Sequence, residues 1–263
     1  MPLRSNVKRF ILATSALPSS HAALAQDWNC DVDDYITKSI GIEEPWVENA
    51  GYLFTQINKG SPSSLTVAPE IEARLNERFG MEIDLPAYTT ALPLGHGQSA
   101  LSPFGAGIKA GVIHDCNVDR GQATLLTFEL EGQYWADRRP DVLPDEGNSI
   151  TAQAMWAQLW YPFFNEGEIG YTQHVGSGVT SGWFVNTSFG KSLGNPNYSV
   201  QLEAEADNQL VLDNGQRGIE GYFMPQIAYH ATPWLFAVGE QANIQQGNWR
   251  ANWSTWLMVE REF

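Results

Sequence analysis

Carboxylates carry most of the chemistry this sequence could offer. Glu70 and Glu72, Glu82 and Asp84, Glu129 and Glu131, and Glu203 and Glu205 come in pairs two residues apart, inside stretches whose alternate positions are apolar. Such pairs can act in three ways. They can trade a proton as acid and base, which also needs a nucleophile or a positioned water. They can line a path and select cations. They can also brace an interior with Arg74, Arg78, Lys109 and Arg250 as an ion-pair network. Nucleophiles are poorly placed. An outer-membrane lipid hydrolase sets its His and Ser two apart on a strand, whereas His174-Val175-Gly176-Ser177 is offset by three and puts the two side chains on opposite faces. His96 lies between two glycines and reads as a loop residue, and His114 and His230 read as strand-end residues. No Cys or His spacing forms a zinc pattern, and no glycine-rich phosphate loop opens a helix. The expectation is therefore no catalytic residue, no metal and no cofactor. A lipid hydrolase is kept as the alternative.

The elements that must position these carboxylates are strands. Leu65, Val67, Ile71, Ala73 and Leu75 fall on one face and Thr66, Glu70, Glu72 and Arg74 on the other. After a polar turn at Asn76-Glu77-Arg78, Phe79, Met81, Ile83 and Leu85 alternate with Glu82 and Asp84. This is period-two patterning, apolar on one side and charged on the other. Pro69 to Phe79 also fits a helix, with Pro69 at its first position and Gly80 after its end. Both flanking segments alternate in phase with a hairpin, which makes the hairpin the more consistent reading. Later segments repeat the pattern around Leu126–Glu131, Val200–Ala206 and Ile219–Ile227. With the weaker ones they total about twelve strands, an even number as single-chain bacterial barrels use. The longest connections, around Thr89 to Pro103 and Asp137 to Ser149, read as external loops. The predicted fold is an all-β, antiparallel, up-and-down transmembrane barrel.

Export is written at the start of the chain. Arg4, Lys8 and Arg9 precede an apolar stretch from Phe10 to Leu17, and Ala23-Leu24-Ala25 offers a cleavage site, so residues 1–25 read as a Sec-type signal peptide. Residues 26–263 then form the barrel domain, with a short periplasmic segment to about residue 49. No other stretch approaches the roughly 20 apolar residues of a membrane helix, so a membrane can be crossed here only by a closed sheet. Ten Trp, nine Tyr and twelve Phe suit aromatic girdles at the two interfaces, although a soluble periplasmic β-sheet binding protein would also use them. The formal charge of −15 argues against nucleic acid as a partner, since such a chain repels phosphates. Cys30 and Cys116 enter an oxidising compartment, and a periplasmic N-terminus would put both at one end of the barrel, where they could pair. Spacing alone leaves two unpaired thiols open.

At the C-terminus, Trp253, Thr255, Leu257, Val259 and Phe263 share one face of a strand that ends in an aromatic. This looks like the assembly signal by which outer-membrane proteins pair with the open strand edge of their assembly machinery. Arg261 interrupts the apolar row and reads as an interface residue that snorkels.

Leu65-Thr66-Val67-Ala68-Pro69-Glu70-Ile71-Glu72 through Leu75-Asn76-Glu77-Arg78-Phe79, then Glu82-Ile83-Asp84-Leu85-Pro86-Ala87-Tyr88 and Gly105-Ala106-Gly107-Ile108-Lys109-Ala110-Gly111, resemble the outer-membrane transporter family named for the MetA pathway of phenol degradation. The resemblance covers mainly residues 64 to 113. It implies an outer-membrane barrel that passes small hydrophobic or aromatic compounds, with outer-membrane lipids and the assembly machinery as partners. Cys116 and the acidic inward positions depart from the family pattern. Glu70, Glu72, Arg74, Glu82, Asp84, Lys109, Glu129, Glu131, Glu203 and Glu205 are the expected lumen-lining residues of a passive channel. A barrel without a conducting lumen, serving structure or surface interaction, is the other reading.

Overall fold

The computed structural model describes Val32 and residues 35–59, 63–92, 99–135, 147–175, 180–208, 218–245 and 248–263. The expected signal peptide, residues 1–25, lies outside these, as do Cys30, His96 and Ser177. The strands are β1 (Ala50–Asn58), β2 (Ser64–Arg74), β3 (Phe79–Asp84), β4 (Tyr88–Ala91), β5 (Ser99–Leu101), β6 (Phe104–Asn117) and β7 (Gln122–Tyr134). They continue with β8 (Asn148–Trp160), β9 (Phe163–Val175), β10 (Gly182–Leu193), β11 (Asn195–Asp207), β12 (Glu220–Ala231), β13 (Trp234–Gln245) and β14 (Asn248–Glu262).

Every neighbouring pair is antiparallel, and β1 pairs with both β2 and β14, so the sheet has no free edge along its seam. Closure satisfies backbone groups that an open sheet would leave bare. The fourteen segments make a closed barrel of 12 strands, because two strands are interrupted. β3 and β4 follow one another along β2, and β5 and β6 lie beside them in continuous register, Asp84 opposite Gly105 and Tyr88 opposite Leu101. Pro86 and Pro103 sit at the two breaks, where a residue without an N–H costs the ladder least. Pro69 falls where the partner of β2 changes from β4 to β3. A strand therefore tolerates it, and the hairpin prevails over the helix. The Thr89–Pro103 stretch, expected as a loop, instead carries most of β4 and all of β5.

Short turns close one end of the barrel, among them residues 75–78, Val118–Gly121, Tyr161-Pro162 and Thr232-Pro233. Gly121 adopts φ 64° and Gly194 φ 68°, left-handed conformations that let two of these turns be tight. Asn49 and Phe263 meet at this turn end, where the Phe263 N–H donates to the Asn49 carbonyl over 2.9 Å. The opposite end holds the longer connections.

The outer wall is apolar. Ile71, Phe128, Leu130, Ile150, Ile169, Phe189 and Leu202 are exposed, whereas Glu72, Glu129, Glu166, Glu203 and Gln201 are buried inside. A water-soluble protein sorts these residues the other way, and this inversion is what a bilayer solvates. Rings flank the apolar band. Phe163 stacks on Phe189, Tyr198 lies against Tyr229, and Trp234 stacks on Phe236 near the turn end, while Tyr134, Tyr171 and Trp183 sit toward the other. Arg261 lies over the Trp234 ring, 5.4 Å from its centroid, with its charge at the girdle.

Candidate functional site in the barrel lumen

Eight strands enclose a space that their own side chains fill, and sixteen or more leave a water channel. Twelve fall between, and here the chain fills much of the lumen with its own N-terminal segment. Residues 35–49 form a plug loop that enters and leaves by the turn end. The Tyr35 ring meets the Tyr161 ring edge-on at that end, and Asn49 accepts the Arg74 N–H there over 2.9 Å. Between these feet the loop rises into the barrel, so residues 35–49, part of the segment expected beyond the barrel, lie inside it. The reason is complementarity. Ile36, Ile40 and Ile42 are buried, Ile36 in an apolar cluster with Leu125, Leu159 and Phe164, and Ile40 in one with Met224 and Met258.

The loop's backbone is held by inward side chains from around the barrel, which stand in for the missing helix or ladder bonds. The Ser39 N–H donates to Glu166, that of Ile40 to Gln226, that of Gly41 to Glu203 and that of Glu43 to Glu168, each at 3.0–3.1 Å. Gln201 donates to the Thr37 carbonyl, Asn186 to that of Gly41, Thr127 to that of Pro45 and Arg74 to that of Val47. A Cβ on Gly41 would press on the ends of the Glu203 and Tyr222 side chains, so any larger residue there must displace them.

Two ammonium groups anchor the charge network. Lys109, fully buried, is 2.8 Å from Glu72, 3.3 Å from Glu82 and 3.6 Å from Glu44. Lys38, on the loop, pairs with Glu44 and lies 3.7 Å from Glu70 and 3.9 Å from Glu72. Burial opposes the charge of Lys38, yet Glu44, Glu43, Glu70 and Glu72 outweigh it and hold its pKa well above the usual range. Burial and then the charge of Glu44 push Glu48 up to about 7, against the hydrogen bond that Glu48 receives from the Tyr52 hydroxyl.

Above the loop tip, a cavity of about 440 Å³ faces the loop end. Glu43, Glu70, Glu82, Asp84, Glu131 and Glu168 line it together with Phe54 and Phe184, and among the described residues no Lys or Arg does.

The expected lumen residues thus divide. Glu70, Glu82, Asp84 and Glu131 border the cavity. Glu72 and Lys109 lie beneath it in the charge network, and Glu203 holds the loop at Gly41. Glu129 accepts from Gln153, and Glu205 borders a second cavity of about 270 Å³ with Tyr222 and Trp256. Arg74 is exposed at the turn end, where it ties down Val47, and Arg78 is exposed in the adjoining turn. The cations bracing the described interior are Lys38 and Lys109. Lys38, Glu43, Glu44, Glu48, Glu166 and Glu168 were not legible as site residues, although a lysine flanked by Ile36, Ile40 and Ile42 and followed by Glu43-Glu44-Pro45 was a signal for an interior charge. His114 and His230 are buried near the turn end, the latter 3.6 Å from Glu262. Cys116 is disulfide-bonded, and Cys30 is the sequence's other cysteine.

Among solved structures the chain is similar to the KdgM porin, with a TM-score of 0.50 and 11% identity over 81% of this chain and 99% of that one. It is similar to the NanC porin as well, with a TM-score of 0.50 and 9% identity over 81% and 100%. The fold is that of an outer-membrane porin. Identities this low speak for the fold of the porin-type barrel, not for what passes through it. No family model matches the sequence, and no curated protein matches it.

Proposed function

We propose that this chain is an outer-membrane channel for small organic cations, partly closed in this conformation by its own plug loop. The observation that carries the reading is the cavity at the loop end, lined among the described residues by six carboxylates and no basic side chain. In a low-dielectric enclosure such a wall concentrates cations and repels anions. Phe54, Phe184, Leu85 and Pro103 share the wall, so a solute with an apolar body and a positive charge is matched at both ends. The resemblance of residues 64 to 113 to the phenol-degradation transporter family supports an aromatic or hydrophobic body for that solute. The apolar girdled exterior, the porin-type fold and the signal-peptide pattern support placement in the outer membrane, with lipids and the assembly machinery as partners.

Planar-bilayer recordings test this. Under a potassium chloride gradient the reversal potential is expected to favour potassium, and Asp84→Asn with Glu131→Gln is expected to weaken that preference. Anion preference overturns the reading. The fully buried core of the loop favours the second reading, a non-conducting barrel. Absence of current both in the native chain and after replacement of residues 37–47 by a glycine-serine linker would establish it.

A further inference from the structure

Lys38 occupies a place built like a binding site for a free amine. Its ammonium is 3.7 Å from the centroid of the Tyr52 ring and 5.7 Å from that of Phe54, and these two rings stack at 5.9 Å. Glu70 and Glu72 lie on the adjacent strand, 3.7 and 3.9 Å from the same nitrogen. Aromatic faces and carboxylates around one cation form a box that recognises alkylammonium groups. The tight partner of Lys38 is Glu44 on its own loop, so the wall carboxylates Glu70 and Glu72 are contacted without being consumed by a close pair. Lys38 is 98% buried, since its side chain is only 2% exposed, yet its Nζ has no hydrogen-bond partner of good geometry, and neither has Glu70 Oε1. A buried wall carboxylate oxygen such as Glu70 Oε1 left without a hydrogen-bond donor is costly.

The box belongs to the wall. Tyr52 and Phe54 are on β1 and Glu70 and Glu72 on β2, whereas Lys38 arrives on the plug loop. Phe54 and Glu70 also line the acidic cavity, so the box continues that cavity downward, and a solute reaching the cavity floor meets Lys38 in the next position. We infer that the Tyr52, Phe54, Glu70 and Glu72 box is a primary-amine site, which Lys38 fills as a tethered occupant while the loop is in place. A free alkylammonium then competes with Lys38, and its binding favours withdrawal of the loop. This inference rests on reading the lumen as a path for organic cations and names the group they must carry.

The test is calorimetric titration of the full folded barrel in detergent with n-butylammonium, which matches the Lys38 side chain. Lys38→Ala is expected to bind it saturably, and the native chain roughly tenfold more weakly or worse, because Lys38 competes for the box. Tyr52→Leu in the Lys38→Ala background should abolish binding, and sodium at equal ionic strength should give no saturable heat. Equal, non-saturating heats for the native chain and Lys38→Ala overturn the proposal. Should Lys38→Ala not refold alone, n-butylammonium should restore refolding and n-butanol should not, and equal yields with both overturn it as well. These readouts need no current. Amine binding without conductance removes the channel reading alone, and cation-selective conductance without amine binding removes only the amine site.

Discussion

Ile40 and Gln226, 186 positions apart in the chain, are joined by a hydrogen bond of 3.0 Å from the Ile40 amide to the Gln226 side-chain oxygen. The bond holds the crest of the plug loop to the far wall and lies in a buried setting, where an amide left without an acceptor costs about 1–3 kcal/mol. Gln226→Leu is expected to lower stability to urea in detergent by that amount and to speed hydrogen exchange at Ile40. Unchanged exchange there would show that the loop is held elsewhere.

Lys109 is the deepest cation, fully buried among Glu72, Glu82 and Glu44. Lys109→Met keeps the stem but strands these carboxylates, and removing one partner of a buried ion pair costs about 3–5 kcal/mol. Glu72→Gln added to it should recover part of the loss. A Lys109→Met barrel as stable as the native one would mean that protons already neutralise the cluster.

The two faces of the wall should respond differently to charge. Ile71→Lys or Phe128→Lys on the outer face is expected to cost about 2–4 kcal/mol if the residue lies near the bilayer midplane. Gln133→Lys faces the acidic cavity beside Glu131, where the new ammonium gains a partner, and should cost little. Equal losses at both positions in lipid-vesicle folding titrations would reverse the register.

Glu48 sets a pH dependence. Its folded pKa, pushed to about 7 by burial and the Glu44 charge, lies above its unfolded value of 4.5, so the unfolded chain ionises first as pH rises. Its contribution is fully present below pH 4.5, declines between 4.5 and about 7, and is flat above. Lys38 and Lys109 temper the effect, and the Trp46 indole and Tyr52 hydroxyl both donate to this carboxylate. Melting temperatures across that window should fall more for the native chain than for Glu48→Gln. Parallel curves would assign the slope to other groups.

The barrel was legible because its rule is local. Glu70-Ile71-Glu72 shows its two faces within three residues, and the hairpin turn at residues 75–78 follows from the same alternation. The plug loop obeys no period. Tyr35 to Asn49 mixes apolar, charged and proline residues, and its partners Gln201, Glu203 and Gln226 lie some 160 to 190 positions away. Each of those side chains reads locally as an ordinary inward polar residue. Only closure of the sheet brings them around one segment, so the sequence around Lys38 hints at an interior charge without showing which wall residues receive it. The strand breaks at Pro86 and Pro103 were hidden for a related reason: a proline signals a loop unless its neighbours are known to continue the ladder.

The plug loop continues directly into β1 at one foot. At the other, Tyr35 and the disulfide-bonded Cys116 pack against the same apolar cluster. A stopper leashed to the wall it blocks behaves unlike a diffusible blocker. Its return is an intramolecular event at a fixed effective concentration set by the length of the leash, independent of how many barrels share the membrane. On the channel reading proposed above, each barrel would reset itself, and cutting the chain between the loop and β1 would lower that effective concentration.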